Sequence, residues 1–303
     1  GTALVADPAS GDPAQVPPPL RVVSINLCTD QLAMLLAAPG QLISVSHLAS
    51  DPLSSSMVEQ AAGYVQNRGG AEQVYLMHPD LVLAGTYTAT ATVDLLTGLG
   101  VKVVQVPPAD TLAQVVDQMR VVGAALGRQA EAEAMVTRFQ SDLAALAVPG
   151  DKASAAMYYP NGYTAGAGTL SDEILTLTGF HNVAGEAGLT GGGILPLERL
   201  VMAAPKMIVT STPYPGQSRS EEILTHPALQ AIRDKAARAR MSDADWVCGT
   251  PHLLRAIGKM QAARAVTDVA TEIINTVCFA LASVIGSVIF LLVIDWRIAF
   301  ASA

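Results

Sequence analysis

The chain states one segment twice, and this repeat constrains the fold more than any other feature. Ala71-Glu72-Gln73-Val74-Tyr75-Leu76-Met77-His78-Pro79-Asp80-Leu81-Val82-Leu83-Ala84-Gly85 returns in outline as Leu197-Glu198-Arg199-Leu200-Val201-Met202-Ala203-Ala204-Pro205-Lys206-Met207-Ile208-Val209-Thr210-Ser211. Each copy opens on a Glu, places a Pro seven residues later and runs on into an apolar stretch of strand length. Glu72 to Glu198 and Pro79 to Pro205 are the same step, 126 positions. Such a chain is expected to form two similar lobes, and its 303 residues hold two ordinary domains. Two lobes make a cleft, the usual place for a small ligand.

The local pattern agrees. Residues 21–26 read as a first strand. A helix starts at Thr29-Asp30, carries Leu32, Leu35 and Leu36 on one face and stops at Pro39-Gly40. Residues 42–46 read as a second strand and 47–56 as a loop. The helix opened by Glu72 ends before Pro79, and 81–84 form a third strand. A helix over 93–99 and a strand over 101–106 complete an alternation that signals a parallel α/β sheet. Thr111 and Gln114 mark a capping box, followed by Leu112, Val115, Val116, Met119, Val122 and Leu126 at helical spacing. The helical pattern resumes over 131–146, with Gly127 a candidate break. Residues 111–126 alone would make a strut of roughly 24 Å. After Pro149-Gly150 the lobe restarts, with strands over 153–159 and 207–210, helices from Ser171 and Glu198, and a last helix from Pro251.

The expected fold is therefore α/β: two Rossmann-like lobes with parallel sheets joined by one long α-helix, plus a C-terminal apolar helix. The expected divisions are a flexible leader (1–20), an N-terminal α/β lobe (21–108), a bridging helix region (109–148), a C-terminal α/β lobe (149–258) and an atypical tail (259–303).

The formal net charge is −8 and no basic stripe is visible, which argues against a nucleic-acid partner. The three cysteines are too few for a disulfide framework. Unpaired, buried thiols are favoured over a Cys28–Cys248 bridge, which would need an oxidising compartment. The Pro-rich start reads as the leader of a processed chain. Residues 273–294, IINTVCFALASVIGSVIFLLVI, carry no charge and are long enough for a transmembrane helix. Arg255, Lys259 and Arg264 precede this run, and only Arg297 closely follows it. That bias would place the preceding domain in the cytoplasm.

No catalytic constellation stands out, and no catalytic residue, resident metal or cofactor is expected. His47, His78, His181, His226 and His252 are scattered, without zinc-site spacing. There is no Gly-x-Ser-x-Gly elbow. Gly166-Ala167-Gly168 reads as loop punctuation and Gly191-Gly192-Gly193 as a flexible turn. In open α/β sheets the loops after the strands face the ligand. Those loops supply the candidate ligand-binding residues Asn26, Cys28, Thr29, His47, Tyr87, Tyr158, Tyr163, Tyr214 and Trp246. Aromatic groups with a polar tip suit a large planar or chelated ligand. Glu72 and Glu198 each open a helix, where a carboxylate favours the positive end. Their matched placement, one per lobe, suggests docking onto basic residues of a two-fold partner.

Four groups of residues together resemble one family: Arg21-Val22-Val23-Ser24-Ile25-Asn26-Leu27-Cys28-Thr29-Asp30, Pro79-Asp80-Leu81-Val82-Leu83-Ala84, the Glu72/Glu198 pair and Trp246-Val247-Cys248-Gly249-Thr250-Pro251. They resemble periplasmic substrate-binding proteins for cobalamin and iron chelates, of the helical-backbone type that serves ABC importers. The likeness covers about residues 20–258. It implies two α/β lobes bridged by a long helix, a ligand held between them, and Glu72 and Glu198 meeting arginines on the two subunits of an ABC permease dimer. It leaves corrinoid, ferric siderophore and haem open as ligands. The tail departs from that pattern. Residues 266–299, with Asp295-Trp296-Arg297, resemble one piece of an ABC exporter membrane domain. The expectation is a periplasmic, non-enzymatic importer component that delivers chelated iron or a corrinoid, tethered to the membrane through 273–294. Its rivals are an α/β enzyme acting in the cleft and a membrane-tethered interaction protein with a vestigial cleft.

Overall fold

A computed structural model of the chain describes residues 17–148, 153–211, 223–233, 236–241 and 243–301. Two compact units emerge: Gly1–Ala145 with Ser242–Leu254, and Leu146–Met241 with Arg255–Ala303.

The first unit runs β1 (Val22–Ser24), α1 (Leu27–Leu36), β2 (Leu42–Ser46), α2 (Val58–Ala61), β3 (Val65–Asn67), α3 (Ala71–Tyr75), β4 (Leu81–Gly85), α4 (Thr90–Gly98), β5 (Lys102–Val106) and α5 (Leu112–Leu126). Its sheet has the order β3-β2-β1-β4-β5, every pair parallel. β1 and β4 are buried along their whole length, as central strands covered on both faces must be, and β5, at the edge, is only partly buried. Val23, Val82 and Ala84 pack with Val74, Leu96 and Val101 beneath the helices. α1 starts two residues before the expected Thr29, because Asn26 caps it. The Asn26 Oδ1 accepts from the backbone N–H of Cys28 (3.0 Å) and of Thr29 (3.3 Å).

The helical stretch from Thr111 does not run through. α5 ends at Gly127, which takes φ 71°. The Gly127 N–H donates to Ala124 O and the Arg128 N–H to Gly123 O, the paired bonds of a glycine-closed helix end. The pattern resumes as α6 (Gln129–Leu146), about 27 Å long at 1.5 Å per residue, which belongs to the first unit as far as Ala145.

The second unit runs β6 (Ala153–Met157), β7 (Tyr163–Ala165), α7 (Leu170–Leu177), β8 (Phe180–Asn182), α8 (Val183–Glu186), β9 (Gly192–Ile194), α9 (Leu197–Ala203), β10 (Met207–Ser211), α10 (Pro227–Arg233) and β11 (Ala237–Met241). Its parallel sheet, β8-β6-β10-β11, matches β2-β1-β4-β5 strand for strand. The repeat is thus one of architecture. α3 and α9 start 126 residues apart, and β4 and β10 start and end at that same offset. Even the turn is kept. His78 (φ 50°) and Ala204 (φ 42°) both adopt the left-handed conformation just before their Pro. That conformation closes a helix, while the following Pro bars its continuation.

Three expectations are corrected. Gly191-Gly192-Gly193 is not wholly a turn: Gly192 and Gly193 belong to β9, paired antiparallel with β7, and only Gly191 turns (φ 69°). Ser242–Leu254, with the short helix α11 (Asp243–Trp246), joins the first unit and not the second. The tail is the distal part of a single helix, α12 (Leu253–Ala301), whose proximal turns bury Leu253, Ala256, Ile257 and Met260. Among the described residues no helix is long and apolar enough to cross a membrane, so the transmembrane helix and tether expected at 273–294 are not borne out.

Candidate ligand-binding site and docking helices

A parallel sheet opens a crevice where its strand order reverses, at the carboxyl ends of the flanking strands. In the first unit that point lies between β1 and β4. Asn26 follows β1, and Gly85, Thr86 and Tyr87 close β4; with Cys28, Thr29 and Gln118 they line a recess of about 70 Å³. Such a recess is far smaller than the roughly 300–1,000 Å³ that engulfs a small molecule. The recess at this crevice is therefore too small to engulf a small molecule by itself.

Three of the expected ligand residues build the frame of this crevice. The Asn26 amide lies against Gly85 so closely that a Cβ on Gly85 would sit 2.7 Å from Asn26 Nδ2. Thr29 is buried, sharing a hydrogen bond with Ser24 Oγ (2.8 Å) and donating to Asn26 O (3.0 Å). Cys28 is bonded to Cys248, which corrects the reading of both as free thiols; Cys278 is free and exposed. Exposed groups remain at the rim: His47 and Tyr87, the latter 89% exposed. Trp246, half-buried, ends α11 two residues before the bridge.

The bridge fastens Ser242–Leu254 to the unit, and neighbouring contacts hold it flat. Thr250 Oγ1 donates to Gln31 Oε1 (3.4 Å), which also accepts from Ser56 Oγ (3.0 Å). Gly249 meets α5 without room for a side chain, since a Cβ there would lie 2.7 Å from Ala109 Cβ and 3.0 Å from Gln118 Oε1. Gln118 in turn donates from Nε2 to Pro107 O. Neither glutamine carried a signal in the sequence, because each meets its partner through a distant contact.

Beneath this surface Asp30 is fully buried. Its carboxylate accepts from the Ser46 N–H (3.1 Å) and Ser46 Oγ (2.5 Å). Burial pushes its carboxyl up to about 7, against the opposing pull of hydrogen bonds from Ser24 and Ser46.

In the second unit Tyr158 is a core residue and not a ligand group. It is fully buried with Ala156, Leu200 and Ile208, and its hydroxyl donates to Leu195 O (3.3 Å), just before α9. Burial, and then the negative charge of Glu198, push its phenol upward. Tyr163 is exposed on β7, its hydroxyl where a Cβ on Gly192 would stand. Tyr214 lies outside the described residues. Glu72 and Glu198 are both exposed, in the first turns of α3 and α9. Among the described residues no group of three His, Cys, Asp or Glu side chains could hold a metal ion.

The sequence signature described as "Periplasmic binding protein" matches residues 22–240, well over half of the chain. The chain belongs to the periplasmic binding protein family. A curated family relative, the "Cobalamin-binding protein" of Halobacterium salinarum, is 28% identical over 227 residues; the match takes in 73% of this chain but 61% of the relative's length. Among solved structures, the periplasmic heme-binding protein RhuT from Roseiflexus sp. RS-1 superposes with a TM-score of 0.65 at 19% identity, covering 80% of this chain and 98% of RhuT. The periplasmic vitamin B12 binding protein BtuF of Vibrio cholerae gives 0.61 at 17% identity, covering 83% and 98%. At such identities these two likenesses establish the fold: paired α/β lobes and a long connecting helix. The family match stops at residue 240 and lends no support to the exporter likeness of the tail.

Proposed function

We propose that this chain is the substrate-binding component of an ABC importer, capturing a metal chelate or corrinoid (ferric siderophore, vitamin B12 or haem) and delivering it to the permease. The observation that carries this reading is the doubled α/β unit, each copy with an exposed tyrosine beyond one of its sheet strands (Tyr87 after β4, Tyr163 at the start of β7) and an exposed Glu at the same offset (Glu72 and Glu198). The importer role is consistent with relatives named as binding proteins for cobalamin, haem and vitamin B12. It requires no chemistry on the ligand, only reversible capture.

The Cys28–Cys248 bridge supports an extracytoplasmic setting, since structural disulfides persist in oxidising compartments. In this reading Tyr87, Tyr163, Tyr214, Trp246 and His47 contact the ligand, and Asn26, Cys28 and Thr29 fix the loop that presents them. Glu72 and Glu198 meet arginines on the two permease subunits.

Visible spectra of the full chain titrated with cyanocobalamin, haemin and a ferric hydroxamate test the ligand class, each having its own absorption. Absence of binding to all three at micromolar concentration would sink the importer reading. A Glu72→Ala, Glu198→Ala double variant is expected to keep ligand affinity and lose transport.

A further inference from the structure

Gln118 is buried on α5, yet only half of its amide is used. Its Nε2 donates to Pro107 O, and a carbonyl oxygen only accepts, which fixes the orientation of the amide. Its Oε1 is buried and has no hydrogen-bond partner among the described residues. A buried acceptor without a donor is costly, so its place in the molecule calls for an explanation.

That place is the recess at the carboxyl ends of β1 and β4, which Gln118 lines together with Asn26, Gly85 and Tyr87. Asn26 supplies the opposite group there. Its Oδ1 is taken up in capping α1, while its Nδ2 lies against Gly85 and makes no hydrogen bond among the described residues. Leu32, Val106 and Pro108 add apolar wall, and none of the lining residues is charged. At roughly 10–15 Å³ for each water-sized occupant, about 70 Å³ admits a group of a few heavy atoms. The recess is thus sized for one arm of a ligand whose body stays outside.

The donors and acceptors narrow the arm. In the free chain water can serve the Gln118 acceptor; an arm that displaces the water has to bring an N–H or O–H of its own. A carboxylate has no proton to give, and an ammonium brings a charge that no lining residue pairs; burying either charge here is expensive. A primary carboxamide carries a donor and an acceptor and no charge.

We propose that this recess is a subsite for one carboxamide arm of the ligand, with Gln118 Oε1 accepting from the arm's N–H and Asn26 Nδ2 donating to its carbonyl. The subsite rests on the importer reading above and deepens it. Among the chelates that reading allows, it favours a macrocycle fringed with carboxamides, as a corrinoid is, over one fringed with carboxylates, as haem is.

The test uses the full chain and visible titration near neutral pH with cyanocobalamin and with its monocarboxylic acids, in each of which a different peripheral amide is hydrolysed. One of these acids is expected to bind about tenfold or more weakly than cyanocobalamin, because its carboxylate replaces the arm in the recess. Gln118→Leu is expected to lose affinity for cyanocobalamin and to bring that acid within about threefold of it. Loss of packing alone would weaken both ligands alike and keep their ratio, so a preserved ratio in Gln118→Leu would overturn the role of Gln118. Thermal melting controls for folding, and the acid series on the parent chain stands whether or not the variant folds. If every acid binds the parent like cyanocobalamin, the subsite is wrong and the importer reading stands. Binding of haemin or a ferric hydroxamate without cyanocobalamin has the same meaning. No binding of any of these ligands would remove the importer reading itself.

Discussion

Cys28 and Cys248 are bonded to one another, their Cα atoms 5.0 Å apart with a sequence separation of 220. The bond closes most of the chain into one loop and fixes the returning segment Ser242–Leu254 to the first turn of α1. Loop-closure entropy for so long a loop corresponds to about 5 kcal/mol at 25 °C. The Cys28→Ser, Cys248→Ser variant is expected to lose stability toward that size in guanidinium denaturation. The segment around Trp246 should also become more open to proteolysis. Dithiothreitol should do the same to the parent chain and add nothing to the variant. Replacing Cys278, which is free and exposed, should change neither measurement.

Gly249 is the next link in that segment. Its backbone lies against α5 where a methyl group would press on Ala109, Gln118 and Val115 at 2.7 to 3.0 Å. Two of these neighbours are short side chains on a fixed backbone, with little freedom to retreat. Gly249→Ala is therefore expected to cost about 1–3 kcal/mol, the usual range for overpacking. Gly258→Ala, with nothing within 4 Å of the added carbon, is the control and should be neutral or slightly stabilising. Equal melting temperatures for the two variants would show that Ser242–Leu254 does not pack as described.

The sequence was most legible where a signal is long and local. β2 and β4 are apolar runs between clear turn residues, and their bounds were readable to within one residue. The repeat placed α9 and β10 from α3 and β4. β3, β7, β8 and β9 span three residues each, too few to show a period, and went unread. Gly192 extends because β9 pairs with β7, and the Tyr163 hydroxyl stands where its Cβ would be, contacts absent from the local pattern. Tyr158 misled for a physical reason. It follows directly after β6, where ligand loops begin, yet its side chain turns inward to Leu195. Local pattern cannot tell those directions apart. The Asn26 cap was readable in principle, since Asn preceding a helix start with an acid in its first turn is a known signature. The cysteine pairing was not, because only the fold brings those two residues together.

Asp30 makes stability depend on pH. Its folded value of about 7 lies above its ordinary 3.8, so the folded chain holds this proton more tightly than the unfolded one. The contribution is complete below the ordinary value and is lost as pH rises through about 7. Three pH units at about 1.4 kcal/mol each put the loss on the order of 4 kcal/mol. Asp30→Asn keeps the shape and removes the titration. Denaturation at pH 4.5, 6 and 8 is expected to show the parent weakening relative to Asp30→Asn as pH rises. Parallel curves for the two chains would mean that Asp30 does not carry the proton in the fold.

The ligand surface is tested by contrasting exposed with buried tyrosines. Tyr87 and Tyr163 present their rings outward, while Tyr158 is sealed in the core of the second unit. An aromatic group stacked on a large chelate contributes about 0.5–1.5 kcal/mol beyond the area it covers. Tyr87→Ala and Tyr163→Ala are each expected to weaken binding of cyanocobalamin or haemin by about tenfold, with melting temperature unchanged. Tyr158→Phe removes only the hydrogen bond to Leu195 O, a loss of about 1 kcal/mol in stability, and should leave ligand affinity intact. A ligand-affinity loss in Tyr158→Phe matching that in Tyr87→Ala would place the buried ring at the ligand and reverse the assignment.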